Sequence, residues 1–257
     1  MIPLVARSHF SLMWGTASPE ELVVAAKRLG YTRLALTDTD NLYGLWPFLA
    51  ACKEHGLTPI VGAEITDPKS ANRAVCLVES EEGFTNLCRL LTHRKQDKAF
   101  DLASALGEQR ARLLVLTTSP DLLASWHEAG VSVAAMLPRK PNQVATKARE
   151  AARRLGVPAV AVPSSFFLAP EDHDLHRLLR AINLNTSFSR LTAQDVAPSD
   201  AYLAAPSDYA ARFAIWPETL TASDELAERI TFTGPKHGLV MPPWTEDVTR
   251  SAAEILR

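Results

Sequence analysis

Apolar and polar positions alternate along the chain in short strand-like runs separated by stretches of helical period. The strand-like runs are Ile2–Val5, Arg33–Thr37, Pro59–Ile65, Ala74–Val78, Arg112–Thr117, Val131–Leu137 and Pro158–Val162. Helical period is carried by a segment opening at Ser18 and closed by Gly30, and by Leu45–His55, Glu81–Thr92, Pro120–His127, Pro141–Leu155 and Pro170–Ile182. The start of the first helix is explicit: Ser18 as N-cap, Pro19 at the first helical position, and Glu21 placed to complete a capping box. Gly30 and Gly56 supply C-terminal stops. The β-α-β-α-β order at the start argues for a parallel sheet with covering helices. Seven strands, each followed by a helix or loop, fit a closed (β/α) barrel, with a doubly wound open sheet as the alternative. After Ile182 the pattern changes. Residues 183–200 are polar and strandless, short helices are expected at Ser207–Phe213 and Glu218–Ile230, and 231–244 is a connector rich in Gly and Pro. Thr245 caps a last helix whose apolar face is Val248, Ala252, Ile255 and Leu256, and this segment reads as leading into a further element.

Composition narrows the classes. The chain has 257 residues, 47% apolar and 22% charged, which excludes a disordered chain. No apolar run approaches the length of a membrane-spanning helix. Lys and Arg number 27 against 29 Asp and Glu, so any nucleic-acid contact must come from a local patch. Three cysteines without a CxxC pair read as buried free thiols in a reducing compartment. The opening residues lack a charged and hydrophobic leader, so a cytoplasmic location is expected.

In barrels of this kind chemistry sits at the C-terminal strand ends. Those ends carry His9, Asp38, Asp40, Asn41, Glu64, Glu79, Thr117–Ser119, Arg139, Lys140 and 163–166. Metal-assisted hydrolysis needs three or more His, Asp or Glu ligands converging there, and this set is thin. His9 reads as a loop residue, and Asp38 either as a catalytic carboxylate or as the cap of its own turn, with Asp40 and Asn41 read the same way. Glu171, Asp172, His173, Asp174 and His176 form a tempting cluster, but acidic residues in a first turn also serve the helix dipole. Two basic runs stand out as candidate partner or DNA surface: Arg94, Lys95 and Lys98, and Arg149, Arg153 and Arg154. Neither is interleaved with aromatics, as single-strand binding would favour.

Several motifs together carry a resemblance. They are Ser8-His9-Phe10-Ser11-Leu12-Met13-Trp14-Gly15, Leu36-Thr37-Asp38-Thr39-Asp40-Asn41-Leu42-Tyr43-Gly44, Pro59-Ile60-Val61-Gly62-Ala63-Glu64, Glu82-Gly83-Phe84-Thr85-Asn86-Leu87, and Phe167-Leu168-Ala169-Pro170-Glu171-Asp172. In this order the chain resembles the PHP (polymerase and histidinol phosphatase) family. More narrowly it is similar to the N-terminal domain of bacterial DNA polymerase III alpha subunits and their error-prone relatives. The resemblance implies a seven-stranded (β/α) barrel of PHP type over 1–185, a helical extension packed on it over 186–240, and over 241–257 a connector and the start of a helix leading to a polymerase core.

The family's metal positions transfer one by one. The opening H-x-H falls on Val5 and Arg7, and the acidic ligand before the glycine on Trp14. The His of T-D-H is Thr39, the His opening the fourth strand is Arg73, and the late Asp and His are Ser164 and Phe166. Glu64 alone is retained. The resemblance therefore implies the family fold without its phosphoesterase chemistry: no catalytic residue and no metal in this domain, with Mg expected only for a polymerase core. Arg7 is expected to pair with Glu64. The expected partners are the rest of a polymerase chain and a proofreading exonuclease subunit, with DNA contact weak or absent and no membrane. A metal-dependent phosphoesterase or 3′–5′ exonuclease with a rearranged site is the alternative function, and a stand-alone binding barrel a third.

Overall fold

The computed structural model describes residues 1–138 and 142–236. Among them, six strands form one sheet in sequence order: β1 (Arg33–Leu36), β2 (Thr58–Thr66), β3 (Arg73–Val78), β4 (Leu113–Thr117), β5 (Ser132–Leu137) and β6 (Ala159–Ala161). The helices are α1 (Pro19–Arg28), α2 (Leu45–His55), α3 (Glu81–Gln96), α4 (Leu102–Glu108), α5 (Pro120–Glu128), α6 (Gln143–Leu155), α7 (His173–Asn183), α8 (Pro206–Arg212) and α9 (Glu218–Arg229). Local chemistry sets their ends. Ser18 and Glu21 close the expected capping box on α1, and Gly56 and Gly156 take left-handed conformations after α2 and α6. The helix expected after Thr245 and the basic residues Arg139 and Lys140 lie outside the described residues.

Three expectations are corrected. The sheet is not all parallel, because β3 runs antiparallel to both β2 and β4. Only residues 67–72 join β2 to β3, and Asp67 N–H bonds the Asn72 carbonyl across that turn. So short a link cannot hold a crossover helix, so the chain must reverse. Glu79 therefore leaves β3 at the end of the sheet opposite Glu64, while Arg73, at the start of β3, stands beside it. Next, Ile2–Val5 is not a strand. Pro3 and Pro163 have no N–H to donate, which limits a continuous ladder there. What remains is a bridge between Ala6 and Ser165, with Ala35 N–H on Pro3 O at 3.0 Å and Arg7 N–H on Ser165 O at 3.0 Å. The N-terminal segment is thus tied on one side to β1 and on the other to the chain after β6. Third, α4 was not expected. Its Asp101 cap and its buried Leu102, Ala105 and Leu106 fill space beside Trp126.

Side-chain alternation splits the core into two layers. Val75 and Leu77, Leu114 and Leu116, and Ala134 and Met136 face one apolar cluster with Leu4 and Val5. Their neighbours Cys76, Val115 and Ala135 face the helices of the other. Leu226, Ala227 and Ile230, from α9 and the residue after it, cover the inner cluster. Ser223 Oγ donates to Ala161 O at 2.8 Å, and the Arg33 guanidinium donates to the carbonyls of Ala227 and Ile230.

Candidate functional site

β1 and β2 lie in parallel register, and their ends bring two loops together. Thr39 pairs with Glu64 across that register, with Glu64 N–H on Asp38 O at 3.1 Å and Asp40 N–H on Glu64 O at 2.8 Å. The N-terminal segment delivers Arg7 to the same point. Its Nη2 donates to Glu64 Oε1 at 2.6 Å and its Nε to Glu64 Oε2 at 3.3 Å. Both residues are buried, Arg7 at 2% and Glu64 at 1% exposure. This is a forked guanidinium–carboxylate pair. Thr39 Oγ1 adds a third donor at 2.9 Å, and the half-exposed Arg73 reaches Oε1 at 3.5 Å. Burial pushes the Glu64 carboxyl up, but the charges of Arg7 and Arg73 and the hydrogen bonds from Arg7 and Thr39 outweigh it and hold the group below its ordinary value.

Beneath the pair lies an aromatic stack. The Arg7 guanidinium sits 4.5 Å from the centroid of Phe166, Phe166 is 5.6 Å from Trp14, and Arg180 of α7 lies 3.8 Å over Trp14 on its own guanidinium. Such contacts are worth about 0.5–2 kcal/mol each, more when desolvated. His176, buried on α7, donates from Nδ1 to Trp14 O at 2.7 Å and accepts at Nε2 from Ala197 N–H at 2.8 Å. Those two partners require the neutral ring, and burial lowers its affinity for a proton further. His173 Nε2 is 3.0 Å from Ala197 O, Asp172 accepts from Leu168 and Ala169 N–H, and Asp174 pairs with Arg177. Asp172, His173, Asp174 and His176 of the Glu171–His176 cluster are thus spent on backbone and local pairs.

Of the eight positions singled out in the sequence, Arg7, Trp14, Thr39, Glu64, Arg73 and Phe166 are joined by these contacts. Val5 is buried one position from the Ala6–Ser165 bridge, and Ser164 flanks its other side. Asp38 departs from expectation. It does not cap its own turn; it receives Ser8 N–H, Ser8 Oγ–H and Ser11 Oγ–H, each at 2.7 Å, and so pins the first loop. Burial pushes its carboxyl above the ordinary value, against the pull of those donors and of Arg7. Asn41 does close its own turn, accepting from Tyr43 N–H. His9 is exposed in its loop.

The basic runs divide. Arg94 is not free surface: its Nη2 lies 3.3 Å from Asp40 Oδ2 and its Nε donates to Thr66 O. Lys95 and Lys98 are exposed. Arg149 pairs with Glu218 of α9 and lies 5.4 Å from the Trp216 ring, while Arg153 and Arg154 are exposed along α6. Sequence reasoning missed Ser8, Ser11 and Arg180. Ser8 and Ser11 were legible only as members of the Ser8–Gly15 motif, with nothing to mark them as donors to Asp38.

Residues 4–156 match the model of the PHP domain. The chain belongs to the PHP domain family. It is 29% identical over 253 residues to an error-prone DNA polymerase of Anaeromyxobacter sp. (strain K), covering 89% of this chain and 22% of that protein. It is 28% identical over 255 residues to DNA polymerase III subunit alpha of Bacillus subtilis (strain 168), covering 89% and 23%. A 93-residue stretch is 43% identical to an error-prone DNA polymerase of Pseudomonas aeruginosa, covering 35% of this chain and 9% of that protein. The chain thus spans less than a quarter of the length of these relatives. Among solved structures, an amidohydrolase from Chromobacterium violaceum with bound sulfate and no metal superposes with TM-score 0.49 at 14% identity, over 64% of this chain and 87% of that one. A two-domain protein from Bacteroides vulgatus, containing a predicted PHP-like metal-dependent phosphoesterase, superposes with TM-score 0.46 at 14% identity, over 62% and 49%.

Proposed function

We propose that this PHP domain has given up metal-dependent phosphoesterase chemistry and serves as a non-catalytic scaffold in a DNA polymerase III alpha-like or error-prone polymerase. The carrying observation is the fork of Arg7 on Glu64, buried and 2.6 Å at its shorter arm. A divalent cation needs anionic or neutral donors aimed at one point. Here one carboxylate faces two guanidiniums, and Trp14 and Phe166 fill the adjoining space with rings. A cation there would meet Arg7 at contact distance, so the residues present do not fit the family's metal cluster, and no hydrolytic step is assigned to them. The ion pair and the stack do the job metals do elsewhere, fastening the N-terminal segment to β2 and α7.

On this reading the N-terminal segment acts as the seventh stave of a PHP barrel, linking β1 to the chain after β6. The polymerase residues, their Mg ions and a cytoplasmic setting belong to the longer protein. A proofreading exonuclease is the candidate partner, and DNA contact by this domain is weak or absent.

The test is metal content and hydrolysis. The purified protein is expected to carry no stoichiometric Zn or Mn, and to hydrolyse neither a phosphomonoester nor a 3′ DNA end above background with either metal added. One metal per chain that disappears in Glu64→Ala, or turnover abolished by EDTA, would overturn the reading.

A further inference from the structure

α7 is amphipathic the wrong way round for an isolated domain. Its inward face carries His176 and Arg180, both buried, with Arg180 donating to Asp195 O and stacking on Trp14. Its outward face carries Leu175, Leu178 and Ile182, which are 48%, 49% and 58% exposed. Their i, i+3, i+7 spacing puts them on one stripe. Leu184 and Phe188, also exposed, extend it just past the helix, and Phe188 lies 3.8 Å under the Arg177 guanidinium. Polar groups are thus buried at the expense of leucines left in water, and the inner anchors fix which way the helix faces. The apolar area in play is on the order of 400 Å², a size at which a patch on a monomer marks an interaction site.

We infer that this stripe is the seat for another part of the same polypeptide, an apolar surface in the body of a polymerase-length chain. The inference rests on the functional reading above. Area selects the occupant. A second copy would need about 800 Å² from each partner for a standard stable interface, roughly twice what the stripe supplies. Interfaces between domains of one chain bury about 600–1,500 Å² in total, and the stripe falls within one side's share. Covalent linkage also raises the effective concentration of the second surface to the millimolar range, which lets a patch of this size hold. In length there is room for it, since this chain aligns to only 22–23% of the polymerases it resembles.

The test uses the polymerase-length protein with Leu178→Cys, and as control Val144→Cys, at an exposed position on α6. Maleimide labelling is followed at native conditions against the unsubstituted protein, whose own thiols set the background. The expected result is labelling of Leu178→Cys at least tenfold slower than Val144→Cys, independent of protein concentration, with a monomeric mass. Equal rates in a chain that does contain a working polymerase body would overturn the inference while leaving the functional reading intact. Protection that depends on concentration and comes with a doubled mass would assign the face to a second copy and likewise overturn it. A full-length protein with no template-directed nucleotide incorporation would remove both readings together.

Discussion

Replacing Arg7 by Met keeps most of the buried volume and deletes the guanidinium. Glu64 is then left, at 1% exposure, with the Thr39 hydroxyl and the half-exposed Arg73 at 3.5 Å. Stranding one partner of a buried pair costs about 3–5 kcal/mol. Glu64 can escape by taking up a proton, which at pH 7 costs about 4 kcal/mol given an ordinary Glu pKa near 4.3. The two bounds together put Arg7→Met at about 3–4 kcal/mol of lost stability. In urea that is a midpoint shift of about 1–2 M. The pH dependence separates this cause from simple loss of packing. In the wild type the folded Glu64 value is depressed, so its contribution is present above the ordinary Glu value and is lost as pH falls through the folded value. In Arg7→Met the folded value lies above ordinary, so the deficit shrinks as pH falls from 7 to 5, by up to about 1.4 kcal/mol per unit. Adding Glu64→Gln removes the stranded charge and should return about 2 kcal/mol at pH 7. Urea unfolding of the three proteins at both pH values measures all of this. A single variant within about 1 kcal/mol of wild type, or a double variant no more stable than the single one, would refute the argument.

The neutral His176 ring predicts a second pH effect. Its folded value is lowered by burial, so the unfolded chain binds a proton first below about pH 6.5 and stability falls from there as the solution is acidified. Urea midpoints at pH 7.5 and 5.5 should show a steeper loss in wild type than in His176→Gln, and equal slopes would count against it. At Gly15 an added Cβ would lie 1.9 Å from Ser8 O, a main-chain atom held in place by Asp38. Gly15→Ala is therefore expected to lower the melting temperature sharply, at a cost of about 1–3 kcal/mol or more. Gly107→Ala, inside α4 with nothing within 4 Å, should raise stability by about 0.5–1 kcal/mol and serves as its control.

The fold was legible in the sequence where pattern and punctuation agree. The capped start of α1, the glycine stops after α1 and α2, and all six strands lie within a residue or two of where apolar runs place them. Direction was not legible. An apolar run such as Ala74–Val78 has the same period read either way, and only the six-residue link before β3 hinted at a reversal. α4 was lost for a related reason: seven residues with four apolar positions make too short a period to register beside the longer elements.

The site was legible as a list and not as a machine. Carrying family positions onto this chain picked out Arg7, Trp14, Thr39, Glu64, Arg73 and Phe166, six residues that the fold brings into one set of contacts. The expected Arg7–Glu64 pair followed from charge and barrel order together, since the ends of the first and third apolar runs converge at the mouth and a buried carboxylate there needs a counter-charge. What charge could not supply was the role of the uncharged and distant members. Asp38 was read as a catalytic carboxylate or as holding its own turn, which T-D-x-D-N favours locally, whereas three donors from Ser8 and Ser11, about thirty residues upstream, prove better placed. Arg180, on a leucine-rich helix, carried no signal at all. Its burial over Trp14 inverts that helix, and the inversion exposes the leucine stripe. The rings of Trp14 and Phe166 therefore do more than fill space: by drawing Arg180 and His176 inward they dictate which face of α7 the domain presents.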